Sequence, residues 1–325
     1  MENKHNIKVE ANLIASYKNG NYNVELYDDG TKIRFGEVDD FIPEFPENID
    51  VCITKRCDGG CPYCYEGCTP AGAHGNIGEC DCYGQFHLPK WMESLKPGTE
   101  LALNGNDLTH PMLNWCLGKL YANGIVTNMT INQRHLAKNI DLLTCWQELG
   151  WINGIGVSLY DSNDETLYTN LAKLKNVVIH VIAGIFTVED LINLQAVSPK
   201  LLILGYKNIG RGADYKASRA DAIDNNIATL KANLPIMQRY FNVLSFDNLA
   251  IEQLDVKNSL FNGDEKKWST FYMGDDGGFT MYIDTVNGKY SKNSCMPAKE
   301  RYKIGQKTTI DMFNDIRKRY NINYK

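Results

Sequence analysis

No apolar stretch in this sequence approaches the roughly 18 residues that a bilayer-spanning helix needs, so no membrane span is expected. The opening residues, Met1-Glu2-Asn3-Lys4-His5, lack the apolar core of a secretory signal, which leads to the expectation of a cytoplasmic protein. Basic excess is also missing: 34 Lys and Arg against 39 Asp and Glu leave a net charge of -5. That balance argues against a protein that coats nucleic acid electrostatically. Cysteine is sparse over most of the chain, with only Cys116, Cys145 and Cys295 outside one short segment. On helices, Cys116 and Cys145 read as small buried hydrophobes. What the chain does have is 325 residues with 43% hydrophobic content, enough for one large domain or one domain with appendages.

Residues 1–48 alternate polar and apolar positions around Asn19-Gly20 and Asp29-Gly30, both hairpin signals, and predict a small antiparallel β unit. From residue 49 onward, strand patterns alternate with helical ones. Strands are expected at 49–54, 100–103, 125–131, 155–159, 177–182 and 201–204. Helical spacing marks 111–121, 134–149, 164–174, 188–194 and 219–240. Six strands alternating with helices imply α/β architecture, a parallel sheet with right-handed crossovers. A closed barrel takes eight such units, so the count predicts a partial (β/α)6 TIM-like barrel over residues 49–245. Its functional face is then the C-terminal ends of the strands. Residues 246–325 read as an α+β extension, with a hairpin about Val286-Asn287-Gly288 and a helix near 310–320.

Seven cysteines crowd one segment: Cys52, Cys57, Cys61, Cys64, Cys68, Cys80 and Cys82. In a reducing compartment such density reads as metal or redox chemistry before disulfides. Cys57, Cys61 and Cys64 are separated by three and then two residues, on a loop that directly follows the first strand of the series. Gly59 and Gly60 permit a tight path there, and Pro62 stiffens it. Zinc sites usually draw four ligands from two short-spaced pairs, and bacterial ferredoxins use a two-then-two run. Three thiolates instead leave one iron of a cubane 4Fe–4S cluster without a protein ligand, and an open metal position marks chemistry rather than scaffolding. Cys68, Cys80 and Cys82 offer three further donors, and a second metal site built from them stays open at this point.

This Cys-x3-Cys-x2-Cys loop, with Tyr63 just before the third cysteine, resembles the signature of the radical S-adenosylmethionine (SAM) superfamily. With Gly72-Ala73-His74-Gly75 after it, the loop looks like a subgroup met in bacteriophage and bacterial genomes. The resemblance covers residues from about 49 to 212 and implies an enzyme with a 4Fe–4S cluster and SAM as cofactors. In that family SAM chelates the free iron. An electron from a reductant such as flavodoxin or ferredoxin then cleaves SAM to a 5′-deoxyadenosyl radical, which takes hydrogen from the substrate. The resemblance also implies where SAM is held. Asn104-Gly105-Asn106-Asp107 stands where the family carries Gly-Gly-Glu-Pro, so Asn106 or Asp107 is expected to receive the SAM amino group. The alternative there is a polar turn that caps the next helix. Ser158 stands where the family contacts the ribose or carboxylate of SAM, and Gly184 brings backbone near the adenine. Lys207 and Arg211 are candidates for the SAM carboxylate or an anionic substrate group, with a solvated basic loop as the alternative. His74 and residues 130–133 are further candidates for contacts in the site.

The C-terminal residues are similar in layout to the SPASM-type extension of radical SAM peptide modifiers, yet after residue 145 they hold only Cys295. This implies a substrate-binding fold without an auxiliary cluster, and a peptide or protein substrate ahead of a nucleoside or other small molecule. Two other readings stay open: a zinc-stabilised binding module, and a related protein that binds SAM without turnover.

Overall fold

The computed structural model describes residues 11–322 apart from 39, 197 and 199, so the first ten residues of the N-terminal unit lie outside the described residues. Alternation and turn chemistry produce a three-stranded antiparallel sheet of β1 (Leu13–Asn19), β2 (Tyr22–Tyr27) and β3 (Lys32–Phe35). Gly20 and Gly30 take the positive φ that its two turns require. Buried Glu47 anchors this sheet, accepting from the Tyr22 hydroxyl at 2.5 Å and from Arg34 Nε at 2.8 Å.

After β4 (Asn48–Cys52) come a small hairpin, β5 (Glu79–Cys80) and β6 (Phe86–His87), and the short α1 (Lys90–Glu93). Strand and helix then alternate: β7 (Glu100–Asn106), α2 (Leu113–Ala122), β8 (Val126–Asn132), α3 (Gln133–Glu148), β9 (Ile155–Ser158) and α4 (Thr166–Leu171). The series continues through β10 (Val177–Ile182), α5 (Val188–Asn193) and β11 (Lys200–Leu204). Two helices, α6 (Arg211–Ala217) and α7 (Ala220–Met237), lead to β12 (Val243–Phe246). The chain closes with α8 (Asn248–Gln253), α9 (Val256–Phe261), α10 (Glu265–Phe271), β13 (Thr280–Asp284), β14 (Lys289–Ser291), β15 (Tyr302–Lys303) and α11 (Thr309–Arg319).

All six expected strands form, and β12 adds a seventh in parallel succession. The expected C-terminal hairpin is β13–β14, but β13 also pairs in parallel with β4. The result is a mixed α/β fold around a ten-stranded, mostly parallel sheet.

Alternate residues separate two faces of this sheet. Leu101, Leu103, Ile131, Val157, Ile179 and Ile203 are buried with Leu117, Leu120, Leu136, Leu143 and Leu234 from the crossover helices. The opposite face is mixed: Asp50, Asn104, Asn128, Thr130, Ser158 and His180 line a cavity of about 1290 Å³ together with Ala102, Val178, Ile182, Leu202 and Leu204. Parallel sheets with helical crossovers are normally covered on both faces, so this cavity-facing side with its polar positions is what positions the site.

The segment leading into β13 is tied to the end of β12, where Asn248 Nδ2 donates to the Gly274 carbonyl at 3.3 Å and to Asp276 at 2.8 Å. At the other end of the strands, Lys200 Nζ donates to the Asp29 carbonyl at 2.8 Å and to Asn176 at 2.9 Å. That bond holds the β2–β3 turn against the cavity, which Asp29 and Gly30 line. Cys116 is buried as expected, but Cys145 is exposed. The buried stripe of α3 is Leu136, Ile140, Leu143 and Trp146, and Cys145 falls outside it. Among the described residues, no helix is long and apolar enough to cross a membrane.

Candidate functional site

Beyond β4 the chain makes a loop and returns alongside itself. Bridges join Arg56 to Thr69 and Thr54 to His74. Cys57 N–H donates to the Thr69 carbonyl at 3.0 Å, and Lys55 N–H to the Ala73 carbonyl at 2.9 Å. The loop from Cys57 to Cys68 is therefore tied at its base. Gly72 is required there, because a Cβ would lie 2.0 Å from the Lys55 carbonyl oxygen. His74 braces the same return: its Nδ1 lies 2.9 Å from Thr54 Oγ1, and it does not line the cavity.

Cys57, Cys61, Cys64 and Cys68 all line the cavity, and all are free thiols. Each of the first three sulfurs accepts a hydrogen bond from nitrogen. Gly59 N–H reaches Cys57 at 3.4 Å, Asn132 Nδ2 reaches Cys61 at 3.2 Å, and Cys68 N–H reaches Cys64. His135 Nε2 also lies 3.5 Å from Cys57 Sγ. Burial pushes the Cys57 and Cys61 thiols up. A hydrogen bond from the Cys68 thiol holds Cys64 down, and that same bond pushes Cys68 up. Asn132 has a second task as the N-cap of α3, accepting from Arg134 N–H at 3.0 Å. A single residue thus joins the end of β8, the start of α3 and the cysteine loop.

Of the other residues singled out in the sequence, Tyr63, Asn104, Asn106, Ser158, Lys207 and Arg211 line the cavity, while Gly105, Asp107 and Gly184 do not. Several have work that differs from the expectation. Asn104 accepts from Ile53 N–H at 2.7 Å and donates to the Thr54 carbonyl at 3.2 Å. Asn106 donates to the Thr54 carbonyl at 3.0 Å, to the Arg56 carbonyl at 3.3 Å and to Cys68 Sγ at 3.4 Å. Both amides therefore hold the cysteine loop. Asn106 also sits at φ 51°, a conformation that asparagine tolerates better than glutamate. Asp107 is a turn residue, accepting from the Thr109 hydroxyl at 2.7 Å. Gly184, at φ 87°, packs against α7, where a Cβ would meet Ile223 at 2.8 Å.

Arg211 clasps the loop from above: Nε donates to the Cys61 carbonyl at 3.2 Å and Nη1 to the Cys68 carbonyl at 2.8 Å. Lys207 donates to Ser294 Oγ at 2.9 Å and lies 4.0 Å from the centre of the Tyr65 ring. Among the described residues, the buried Tyr63 hydroxyl has no hydrogen-bond partner. Within 130–133, Thr130 and Asn132 face the cavity. Gln133 instead accepts from Tyr160 N–H at 2.8 Å, a structural bond.

Among the cavity residues that sequence reasoning missed, His180, Asp50 and Asp247 carry titratable groups. His180 stands in register with Ser158, which stands in register with Asn132. Gly156 makes room for its imidazole, since a Cβ there would lie 2.2 Å from Cε1. Burial holds His180 down to about 4, which keeps the ring neutral. Asp50 and Asp247 face the cavity near Lys207. The strand alternation Ile49-Asp50-Val51, with a carboxylate between two buried residues, was the available signal for Asp50.

Desolvation by the cavity walls raises the Asp50 carboxyl from 3.8 to about 6, with Lys207 opposing the rise and Asp276 and Asp247 adding to it. Because the side chain is open to the cavity, its effect on stability is small. Its folded value lies above its unfolded one, so ionisation costs the folded state. Stability is lost as pH rises from near 3.8 to about 6 and stays level above that. Asp50→Asn removes the penalty. Thermal midpoints measured across this window should therefore show the variant gaining on the parent as pH rises, and a constant difference would refute the assignment.

The C-terminal strands brace the loop from below. Tyr282 OH donates to Glu66 at 2.9 Å, and Lys55 lies 3.2 Å from Glu66 and 3.5 Å from buried Asp284. Cys295 lines the cavity beside Ser294, whereas Cys80 and Cys82 are exposed near the β5–β6 hairpin. Among the described residues, no three His, Cys, Asp or Glu side chains converge on a point suited to a single metal ion. A cubane cluster makes a different demand, because each thiolate binds its own iron. No protein-family model matches the chain, and no curated protein matches it.

Proposed function

We propose that this chain is a radical SAM enzyme in which Cys57, Cys61 and Cys64 hold a 4Fe–4S cluster at the C-terminal end of β4. The observation that carries the reading is the tied loop, with its three-then-two thiol spacing and all three sulfurs lining one large cavity. The donor set fits such a cluster, because every sulfur accepts an N–H bond of the kind that tunes cluster thiolates. The cavity along one sheet face and the Asn248–Asp276 tie support a sheet curled into a partial barrel. Cluster and SAM, when bound, supply homolytic hydrogen-atom abstraction from carbon.

The protein's own part is positioning. Arg211, Asn104 and Asn106 fix the loop backbone, and Thr130, Ser158 and His180 present polar groups along the wall beside Cys61. About 1290 Å³ exceeds the roughly 300–1,000 Å³ of ordinary small-molecule pockets, which leaves room for a substrate beside SAM. The C-terminal residues Tyr282 and Lys292 to Cys295 line the substrate side, with Asp50 and Lys207 opposite in charge. This supports a peptide or protein substrate whose side chain enters the cavity.

Anaerobic reconstitution tests the reading. It expects about four irons per chain, visible absorption and SAM-dependent release of 5′-deoxyadenosine. Stoichiometric zinc with no SAM binding would overturn it in favour of a zinc-stabilised module. Deuterated candidate substrates then identify the hydrogen donor through label in the 5′-deoxyadenosine.

A further inference from the structure

The tied loop encloses not three thiols but four. Cys57 is its first residue and Cys68 its last, since Arg56 bridges Thr69 and Cys57 N–H donates to the Thr69 carbonyl. Cys68 is nearly buried, lines the same cavity, and bonds Cys64 through both its backbone N–H and its thiol. Its sulfur also accepts from Asn106 Nδ2 at 3.4 Å, and its carbonyl accepts from Arg211 Nη1 at 2.8 Å. Cys64 and Asn106 therefore aim its thiol while Arg211 holds its carbonyl, although the three-thiol spacing gives it no task.

We infer that Cys68 is a fourth, displaceable ligand, which caps the open iron of the cluster until SAM arrives. The inference rests on the cluster reading above. Capping forms one iron–sulfur bond as the thiol proton leaves to water. SAM binding breaks that bond, and the released thiolate takes a proton back, so no electron is gained or lost. The cap protects the exposed iron of the resting protein, and SAM affinity falls because SAM must displace it.

Iron loss is the readout, and it does not depend on turnover. A cubane with one unprotected iron sheds it on mild ferricyanide oxidation and leaves an EPR-active three-iron cluster, whereas a cluster with four thiolates resists. In the full-length reconstituted chain without SAM, little three-iron signal is expected. Cys68→Ala should give severalfold more signal and bind SAM severalfold more tightly. Cys68→Ser keeps a hydrogen-bond donor toward Cys64 but is a poor iron ligand, so capping predicts that it behaves as the alanine variant. If Cys68 only donates a hydrogen bond, the serine variant will match the parent, and the inference fails. Equal three-iron signals in the parent and both variants, at equal iron content, also overturn it. If the parent holds no cluster at all, the reading of the site falls first and this inference falls with it.

Discussion

Cys61→Ala is expected to yield a folded chain with iron and sulfide at background and no detectable 5′-deoxyadenosine. The side chain sits in the middle of the tied loop, and its sulfur receives the Asn132 amide at 3.2 Å. Removing it takes away one of the three thiols proposed to hold the cluster but leaves the Cys61 carbonyl to accept from Arg211 at 3.2 Å. The loop path therefore survives, while the proposed cluster keeps only two of its three permanent thiolates, and the displaceable Cys68 is not expected to replace the third. Loss of a group that merely hydrogen-bonds a metal ligand lowers affinity by about 10–100-fold, and loss of a ligand exceeds that range. Cys116→Ala is the matched control. That thiol is fully buried against Met92, away from the cavity, so the substitution should leave iron content unchanged. Iron and sulfide assays on both variants decide the matter: a Cys61→Ala chain that keeps its iron would sink the assignment.

Gly72→Ala should be among the most damaging single methyl groups near the cysteine loop. Its Cβ would lie 2.0 Å from the Lys55 carbonyl oxygen, 2.3 Å from that carbonyl carbon and 2.7 Å from Arg56 N. All three are backbone atoms, so no rotamer change relieves the clash. Overpacking of this kind costs about 1–3 kcal/mol and occasionally more. The structural consequence is local, because the return segment that closes the cysteine loop must move away. Cluster loading should collapse while far-UV circular dichroism stays near that of the parent. Gly67→Ala provides the contrast. A Cβ at Gly67 meets nothing within 4 Å, and only its positive φ of 66° resists the change. That strain is worth roughly 1–2 kcal/mol. If both variants load iron equally, the tied base of the loop is not what shapes the site.

Most of the architecture was legible because strand and helix periods alternate cleanly between Asn48 and Leu204. The β12 strand escaped because Val243–Phe246 is four residues long and follows two helices without a turn signal. The parallel pairing of β13 with β4 could not be read at all. Val286-Asn287-Gly288 announces a hairpin, but nothing local announces that Ile283 will stand beside Val51.

The site was partly legible for the same reason. Cysteine spacing within one loop is a local pattern, and its thiols do line one cavity. The roles of Asn104 and Asn106 were not local. Their amides reach carbonyls about fifty positions earlier in the chain, so their use in holding the loop depends on the register of β4 with β7. The alternation Asn128, Thr130, Asn132 in β8 carried a usable signal of an inward polar face.

The placement of β4 between β7 and β13 also has a biosynthetic consequence. Tyr282, which supports Glu66, is made 216 residues after it. At about 5–20 residues per second, the nascent chain carries β4 as an open edge for roughly ten to forty seconds. Throughout that interval the thiols hang from a strand whose outer hydrogen bonds are unpaired, a ready template for mispairing. On the proposed reading, a cluster would be loaded only after Tyr282 has been made and β13 has paired with β4.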